Sequence, residues 1–113
     1  MTAPHPVLEK ELQAAVMNLA RRMGWRVWHF HDSRRMVRPG VWVGDKDASG
    51  FPDLVLAHPV HGVLFRELKA DGENPTPKQR DAIRDLGAAG ADIAVWRPAD
   101  WPVRITRQLQ GDA

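Results

Sequence analysis

The sequence predicts an α/β fold in which helices flank a mixed β-sheet, in the order αβββαβ with a short terminal helix. Three observations support this prediction. Apolar residues recur at helical spacing near the N-terminus, and two β-branched apolar runs surround a turn in the middle of the chain. A second helix start is then followed by another strand-like run. Helices and strands that alternate in this way are typical of a sheet covered by helices.

The first predicted element is an amphipathic helix that ends at Gly24. Its apolar residues recur at i, i+4, i+7, i+8, i+11 and i+15: Leu8, Leu12, Ala15, Val16, Leu19 and Met23. At ~100° per residue, Glu9 lies nearer this apolar stripe than Glu11. Glu9 is therefore the better candidate for a half-buried functional carboxylate, although acids are also enriched in first helical turns because of the helix dipole.

The predicted strands follow this helix. Residues 25–30 form the first, and residues 51–57 and 63–69 form an antiparallel hairpin around a turn at residues 58–62. Because side chains alternate along a strand, Glu67 and Lys69 share one face while Leu68 points into the core.

The connection over residues 32–50 is too long and too polar for a simple linker, and such segments are usually functional or disordered. Residues 41–43, after Pro39 and Gly40, are predicted to form a hairpin tip that presents Trp42 to a substrate. Trp42 in the core is the alternative. Trp96 and Trp101 are predicted to be core residues.

The C-terminal part predicts a helix, a strand and a second helix. Thr76 is a suitable N-cap and Pro77 suits the first helical position, so a helix runs to about residue 89, before Gly90. Residues 91–96 follow as a strand and residues 100–109 as a short helix. Thr76 and Gln79 have the spacing of a capping box.

Three charged side chains converge at one end of the predicted hairpin. An acid and an amine, Glu67 and Lys69, end an otherwise apolar strand, which is costly unless something charged is held there. Asp53, near the start of the neighbouring strand, supplies a second carboxylate. This trio suits a hard divalent cation and a phosphate. The alternatives are a surface salt bridge between Glu67 and Lys69 and a turn role for Asp53.

These residues match a known pattern. Pro52-Asp53 followed by Glu67-Leu68-Lys69 resembles the PD-(D/E)xK nuclease superfamily, whose restriction-endonuclease-like fold has the same αβββαβ core. The flanking motifs, in order along the chain, resemble a small stand-alone virus-type replication-repair nuclease (VRR-NUC) domain of phages and bacteria. Those motifs are residues 9–13, 24–26, 31–34, 50–54, 76–80 and 96–101. The resemblance covers about residues 7–101, and we expect residues 1–113 to form a single nuclease domain.

The resemblance implies a metal-dependent phosphodiesterase site with one or two Mg²⁺ or Mn²⁺ ions. Asp53 and Glu67 would be direct metal ligands, joined by the main-chain carbonyl of Leu68, and Glu9 would bind a metal or a metal-bound water. Mg²⁺ prefers oxygen ligands and keeps several waters, so two or three carboxylates suffice. Such ions can activate water and stabilise both the transition state and the leaving oxygen.

Two further residues complete the predicted catalytic set. Lys69 would position the attacking water or offset charge that develops on the phosphate. Gln79 would line the site near Lys69. A helix-capping role for Gln79 is the alternative, and the two roles are compatible.

Charge distribution favours a polyanionic partner more than net charge does. The net charge is only +2, whereas arginines cluster near the predicted acidic site, and their planar guanidinium groups suit phosphate recognition. A solvated surface is the alternative for each of them. The predicted DNA-binding residues are Arg34, Arg35, Arg38, Lys78 and Arg80.

Composition excludes several other classes. The chain has no cysteine, which excludes disulfides, thiolate zinc sites and thiol catalysis. It has no apolar run of the ~20 residues that a membrane span needs and no secretory pattern, so we expect a cytoplasmic protein. The resemblance implies that the cell is bacterial or phage-infected. No histidine spacing indicates zinc, and the histidines are interpreted as structural or substrate-adjacent.

The sequence thus predicts a DNA endonuclease. From the resemblance we expect selectivity for branched DNA, such as Holliday junctions, a role in replication, recombination or repair, and a homodimer that pairs two sites across a junction. Two alternatives remain: a non-catalytic DNA-binding module of the same fold, and a nuclease directed at single strands or RNA. A restriction role is less favoured, because no specificity domain is present.

Overall fold

The computed structural model describes residues 5–30, 35–39, 41–43 and 48–112. The elements in chain order are α1 Glu9–Arg22, β1 Arg26–His29, β2 Arg35–Arg38, β3 Val41–Val43, β4 Leu54–His58, β5 Gly62–Leu68, α2 Pro77–Ala88, β6 Asp92–Trp96, a 3₁₀ turn Pro98–Asp100 and α3 Val103–Leu109. The main sheet is four-stranded with helices packed on it. The predicted α/β class with a mixed sheet flanked by helices is confirmed.

The sheet has the strand order β1-β4-β5-β6. β1 and β5 both pair antiparallel with β4, and the β4–β5 hairpin runs from the Leu54–Arg66 pair to the His58–Gly62 pair at the turn. β6 pairs parallel with β5. A parallel partner requires a crossover connection, and α2 supplies it.

Some element boundaries differ from those predicted. β4 begins at Leu54, so Asp53 precedes the strand instead of lying within it. The predicted terminal helix over residues 100–109 is divided into the 3₁₀ turn and α3. The prediction of a hairpin tip at residues 41–43 is wrong, because Val41–Val43 is itself a strand paired with β2 beyond a turn at Pro39. The side chain of Trp42 lies outside the described part of the structure.

The hydrophobic core lies on one face of the sheet, between the strands and the helices α1 and α3. Leu68 and Trp96 are fully buried there, as predicted, and Trp101 is partly buried against the core. The core residues are Leu12, Val16, Ala20, Trp25, Val27, Leu54, Leu56, Leu64, Leu68, Trp96, Ile105 and Leu109. Trp25 also anchors the C-terminal helix, since its indole Nε1 donates to the Leu109 carbonyl at 3.0 Å.

The opposite face of the sheet, which carries Glu67, is only partly covered. α2 packs on β6 at one side. At the other side, aromatic residues of β1 and of the segment before β4 are 40–45% exposed: Trp28, Phe30 and Phe51. Among the helices in the described ranges, none combines the length and apolarity needed to cross a membrane.

Candidate active site

The predicted acidic site lies where β4 begins and β5 ends. The Leu54–Arg66 pairing puts the next positions, Asp53 and Glu67, opposite one another on the less covered face. The Asp53 carboxylate Oδ2 accepts the Leu68 amide at 2.8 Å, and the Asp53 carbonyl accepts the Phe30 amide at 2.8 Å. Asp53 is therefore held by both neighbouring strands, and its side chain is aimed at the end of β5.

Glu67 is the most unusual group of the site. It is only 1% exposed, and among the described residues Lys69 pairs with its carboxylate, with Nζ 4.0 Å from Oε1. The pKa of Glu67 is raised to about 9, chiefly by burial and then by hydrogen bonding to Asp53 and by the charges of Asp53 and Glu9, against the opposing effect of Lys69. The fold thus buries one carboxyl group against another, an arrangement that disfavours full ionisation.

Glu9 faces the same site from the first turn of α1. Its pKa is raised, first by burial and then by the charges of Asp53 and Glu73, whereas Lys69 lowers it. Glu11 is exposed and instead caps the helix, because its carboxylate accepts the amides of Leu8 at 2.9 Å and Val7 at 3.2 Å. Of the two acids, Glu9 is the partly buried one, as the helical rotation predicts.

Gln79 combines its two predicted roles. Its amide Nε2 donates to Glu67 Oε1 at 3.1 Å, while its Oε1 accepts the Thr76 amide at 2.8 Å. The Thr76 hydroxyl accepts the Gln79 amide at 3.2 Å, which completes a capping box. The capping geometry therefore fixes the side chain that reaches Glu67, so that the start of α2 forms a wall of the site.

Gly50 lets the segment before Asp53 approach α2 closely, a role that the sequence analysis missed. Its φ is +84°, and a Cβ atom at this position would overlap the carbonyl group of Lys78 and lie 3.0 Å from the Gln79 amide nitrogen. Only glycine satisfies both the backbone angle and the contact. The available signal was a glycine directly before the Phe-Pro-Asp run, which the sequence analysis used only as part of a family motif.

The donor groups at this site fit a hard divalent cation. Glu9, Asp53, Glu67 and the Leu68 carbonyl all offer oxygen, the ligand atom that Mg²⁺ prefers. The raised pKa of Glu67 reflects a site rich in carboxylates, and a bound cation would favour the ionised form. Within residues 5–30, 35–39, 41–43 and 48–112, however, no three His, Asp or Glu side chains are already gathered around one metal position.

The predicted DNA-binding residues divide into two groups. Lys78 and Arg80 are exposed in the first turn of α2, on either side of Gln79 in sequence. Arg35 and Arg38 lie in β2, where the backbone alone is described, and Arg34 lies outside the described residues. Lys78 and Arg80 thus lie on the helical turn that carries Gln79, and their binding role stays a prediction.

The histidines of the β4–β5 turn lie at the other end of the hairpin. The rings of His58 and His61 stack with centroids 4.5 Å apart, and His58 packs against Trp25 at 5.2 Å. His58 Nδ1 accepts the amides of Val60 at 3.1 Å and His61 at 3.3 Å. These contacts support the structural interpretation of both histidines.

Comparison with solved structures gives an informative likeness. No protein-family model matches the chain, and no curated protein matches it in sequence. Among solved structures, the chain is similar to a VRR_NUC domain protein, with a TM-score of 0.62 and 26% sequence identity over 99% of this chain and 94% of the other. This likeness supports a nuclease-like domain. It confirms the resemblance to the VRR-NUC family that the motifs predict, over nearly the whole chain.

Proposed function

We propose that this protein is a divalent-metal-dependent DNA endonuclease that hydrolyses phosphodiester bonds in branched DNA, in the cytoplasm of a bacterial or phage-infected cell. The observation that carries the proposal is Glu67, buried against Asp53 and paired among the described residues with Lys69. A buried carboxyl pair destabilises a fold unless a proton or a cation compensates it. A metal site explains why the fold accommodates this arrangement.

Asp53, Glu67 and the Leu68 carbonyl would hold Mg²⁺ or Mn²⁺, with Glu9 holding a second ion or a metal-bound water. The cation supplies activation of water and neutralisation of phosphate charge. The protein supplies the rest of the site. The Asp53 carboxylate is held by the backbone amide of Leu68, and the Glu67 carboxylate is held by the side-chain amide of Gln79. Neither carboxylate must therefore reorganise when substrate arrives.

Lys69 would act on the scissile phosphate. Its ammonium group lies 4.0 Å from Glu67, and its side chain is 12% exposed, so it is restrained but still reaches solvent. In hydrolysis a water oxygen bonds to phosphorus, the bond from phosphorus to the leaving sugar oxygen breaks, and that oxygen takes up a proton. A fixed ammonium beside the phosphate offsets the charge that builds up on its non-bridging oxygens.

DNA would approach across the less covered face of the sheet and the start of α2. Lys78 and Arg80 flank Gln79 there and would contact phosphates, as would Arg34, Arg35 and Arg38. Phosphate contacts of this kind position a duplex without reading its sequence, which suits selection by DNA shape. We further propose a homodimer, because two sites related by two-fold symmetry match the two strands cut at a junction. Sedimentation as a monomer with and without junction DNA would refute the dimer.

A second candidate is a nuclease directed at single strands. Three aromatic side chains are exposed on the same face as Glu67: Trp28, Phe30 and Phe51. The Phe30 amide also donates a hydrogen bond to the Asp53 carbonyl. Stacking of unpaired bases on aromatic side chains contributes about 1–3 kcal/mol per base. By contrast, a non-catalytic DNA-binding module would have no use for a buried carboxyl pair.

The test is cleavage of matched substrates by the purified protein. Linear duplex, single-stranded, flap and four-way-junction DNA are incubated with Mg²⁺ or Mn²⁺, with EDTA as the control. We expect metal-dependent cleavage that is fastest on the junction. Lys69→Ala should reduce the rate about 10²–10³-fold or more, with folding and DNA binding retained, while Lys10→Ala, an exposed lysine of α1, should cleave like the parent.

The other outcomes decide between the candidates. Fastest cleavage of single strands would favour the second candidate. Binding without cleavage under every metal condition would show a non-catalytic module. Full activity of Lys69→Ala would refute the proposed chemistry.

A further inference from the structure

Arg97, the first residue after β6, fastens the loop that follows Lys69. Its guanidinium Nη1 donates to the Ala70 carbonyl at 2.8 Å and to the Glu73 carbonyl at 2.5 Å. The Glu73 amide in turn donates to the Ala70 carbonyl at 3.2 Å. One cationic group therefore closes the loop over residues 70–73 into a compact turn.

The same loop has a second tie to the segment after β6. Asp71 Oδ1 accepts a hydrogen bond from the Ala99 amide at 3.2 Å, so a side chain of the loop is hydrogen-bonded to the backbone of the 3₁₀ turn. Arg97 is itself held, because its amide donates to Asp100 Oδ2 at 2.8 Å and its carbonyl accepts the Asp100 amide at 2.9 Å. The loop thus rests on a segment whose own conformation is fixed.

Little else in the loop can hold it in place. Residues 71–74 are exposed, and none of them is a large apolar residue that could be buried in the core. Hydrogen bonds from a charged donor are roughly twice as strong as those between neutral groups. The conformation of the loop therefore depends on its charge-assisted hydrogen bonds, of which the Arg97 guanidinium makes two and the Asp71 carboxylate one.

The position of this loop matters because it joins two parts of the candidate site. It begins directly after Lys69, whose amide donates to the Trp96 carbonyl at 3.1 Å, and it ends at Thr76, the N-cap of α2. The capping box at that N-cap holds the Gln79 side chain that bonds Glu67. A shift of the loop would therefore move Gln79, and the chain leaving Lys69, relative to the buried carboxylates.

We propose that Arg97 is a positioning residue for the phosphodiesterase reaction, acting through the loop over residues 70–75 on Lys69 and Gln79 without touching the substrate. This inference rests on the proposed function and assigns a role to the Trp96-Arg97-Pro98-Ala99-Asp100-Trp101 motif. Arg97 determines the geometry of the site from outside it.

The test compares Arg97→Ala and Arg97→Lys with Arg104→Ala as the matched control. Arg104 is an arginine of the same region, but its side chain is 72% exposed and its contact to Asp100 is long, at 3.6 Å. Single-turnover cleavage of junction DNA is measured with Mg²⁺ and saturating protein, and DNA affinity is measured with Ca²⁺ in place of Mg²⁺. Exchange of backbone amides over residues 69–79 is followed by mass spectrometry.

We expect Arg97→Ala to lower the cleavage rate constant about tenfold to 10²-fold, because small misplacements of a reacting group have effects of this size. Its DNA affinity should stay within about twofold, because the substitution removes no contact between the protein and the DNA phosphates. Amide exchange over residues 69–79 should accelerate. Arg97→Lys should fall between Ala and the parent, because an ammonium lacks the planar fork of donors.

Chemical rescue separates positioning from general destabilisation. Guanidinium chloride, added far below denaturing concentrations, should restore part of the cleavage by Arg97→Ala and none of that by Lys69→Ala. Cleavage by Arg97→Ala equal to that by Arg104→Ala would overturn the proposal. A loss of DNA affinity that accounts for the loss of cleavage, or an absence of rescue, would also overturn it.

The amide-exchange measurement distinguishes this inference from the proposed function. If the parent protein cleaves no DNA, the proposed function fails, and faster exchange in Arg97→Ala would still show that Arg97 holds the loop. If the parent cleaves DNA and exchange over residues 69–79 is unchanged in Arg97→Ala, the nuclease proposal stands and the role of Arg97 is refuted.

Discussion

Arg66 and Glu67 are adjacent residues of β5 that carry opposite charges to opposite faces of the sheet. Both are buried, at 2% and 1% exposure, so each has left water almost completely. Their surroundings differ. Around Arg66 the fold supplies partners of the opposite sign, whereas around Glu67 it supplies a second carboxyl group.

Arg66 is neutralised within the protein. Its Nη1 donates to the carbonyls of Phe65 and Asp92, and its Nη2 donates to Asp92 Oδ1 and Gln108 Oε1, all at 2.9–3.1 Å. The guanidinium also lies 5.0 Å from the ring centre of Trp96. Within the described part of the chain, only its Nε lacks an acceptor. This residue links β5, β6 and α3, and its charge has a structural role.

The carboxyl group of Glu67 has weaker partners than the guanidinium of Arg66 among the described residues. Gln79 donates one hydrogen bond, Lys69 is at 4.0 Å, and Asp53 raises the pKa of Glu67 further. The difference teaches that burial of a charge does not by itself indicate function. A buried charge that is paired within the protein has a structural role, whereas one that faces a like charge supports the proposed cation site.

The largest expected effect is on catalysis. Glu67→Gln removes the ionisable carboxyl and keeps the shape, so cleavage of junction DNA in Mg²⁺ should fall about 10³-fold or more. The free energy of unfolding should stay equal or rise, because a buried neutral amide replaces an acid paired with an acid. Single-turnover cleavage and urea unfolding measure the two effects. Full activity of this variant would contradict a catalytic role for Glu67.

Arg66→Met should show the opposite pattern. We expect the free energy of unfolding to fall by about 2 kcal/mol, less than for a fully buried pair, because the Asp92 partner is 63% exposed. Cleavage by the folded variant should change little, since Arg66 faces away from the site. Urea unfolding with and without Mg²⁺ measures the loss. A variant of parental stability that has lost cleavage would assign Arg66 to the site instead.

A further expected effect is a dependence of stability on pH. The pKa of Glu67 is about 9 in the folded state, against an ordinary value of 4.5. Below pH 4.5 the group is protonated in both states. Between these values the unfolded state loses the proton that the folded state retains, so stability falls as pH rises and levels off above about pH 9. Glu9, whose pKa is also raised, acts in the same direction.

Thermal unfolding between pH 5 and pH 9 in EDTA measures this slope. The melting temperature should fall by several degrees or more across the range, since each 1 kcal/mol of stability corresponds to ~4–8 °C in a domain of this size. Mn²⁺ should stabilise the protein most at high pH, where the carboxylates it binds are easiest to ionise. Glu67→Gln should flatten the slope, and an equal slope in that variant would assign the effect to other groups.

Much of the fold follows from local pattern. The 3.6-residue repeat of α1, the β4–β5 hairpin and the capping box of α2 were all predicted, because each depends on the backbone geometry of residues close in sequence. The same periodicity placed Glu9 nearer the core than Glu11 and gave Glu67 and Lys69 a common face. Candidate site residues on regular elements could therefore be predicted in advance.

Other parts depend on contacts between distant segments. Two such contacts join residues more than 20 positions apart: the close approach of Gly50 to Lys78 and the hydrogen bonds of Arg97 to the loop after Lys69. No local sequence pattern predicts either of them. The boundary of β4 also shifted, because pairing with β1 and β5 sets where a strand begins. Such contacts arise from how elements pack, and the propensities of individual residues do not encode them.

The order of helices and strands and the face on which each side chain lies can be read from residues near one another, because covalent geometry repeats every two residues in a strand and every 3.6 in a helix. The grouping of Asp53 with Glu67 and Lys69 followed from the predicted hairpin and from the resemblance to a nuclease motif. The contrast between Arg66 and Glu67 cannot be read from residues that are close in sequence. It depends on which groups β6, α2 and α3 bring against β5, and the pKa of a buried group responds to those neighbours and to the loss of water.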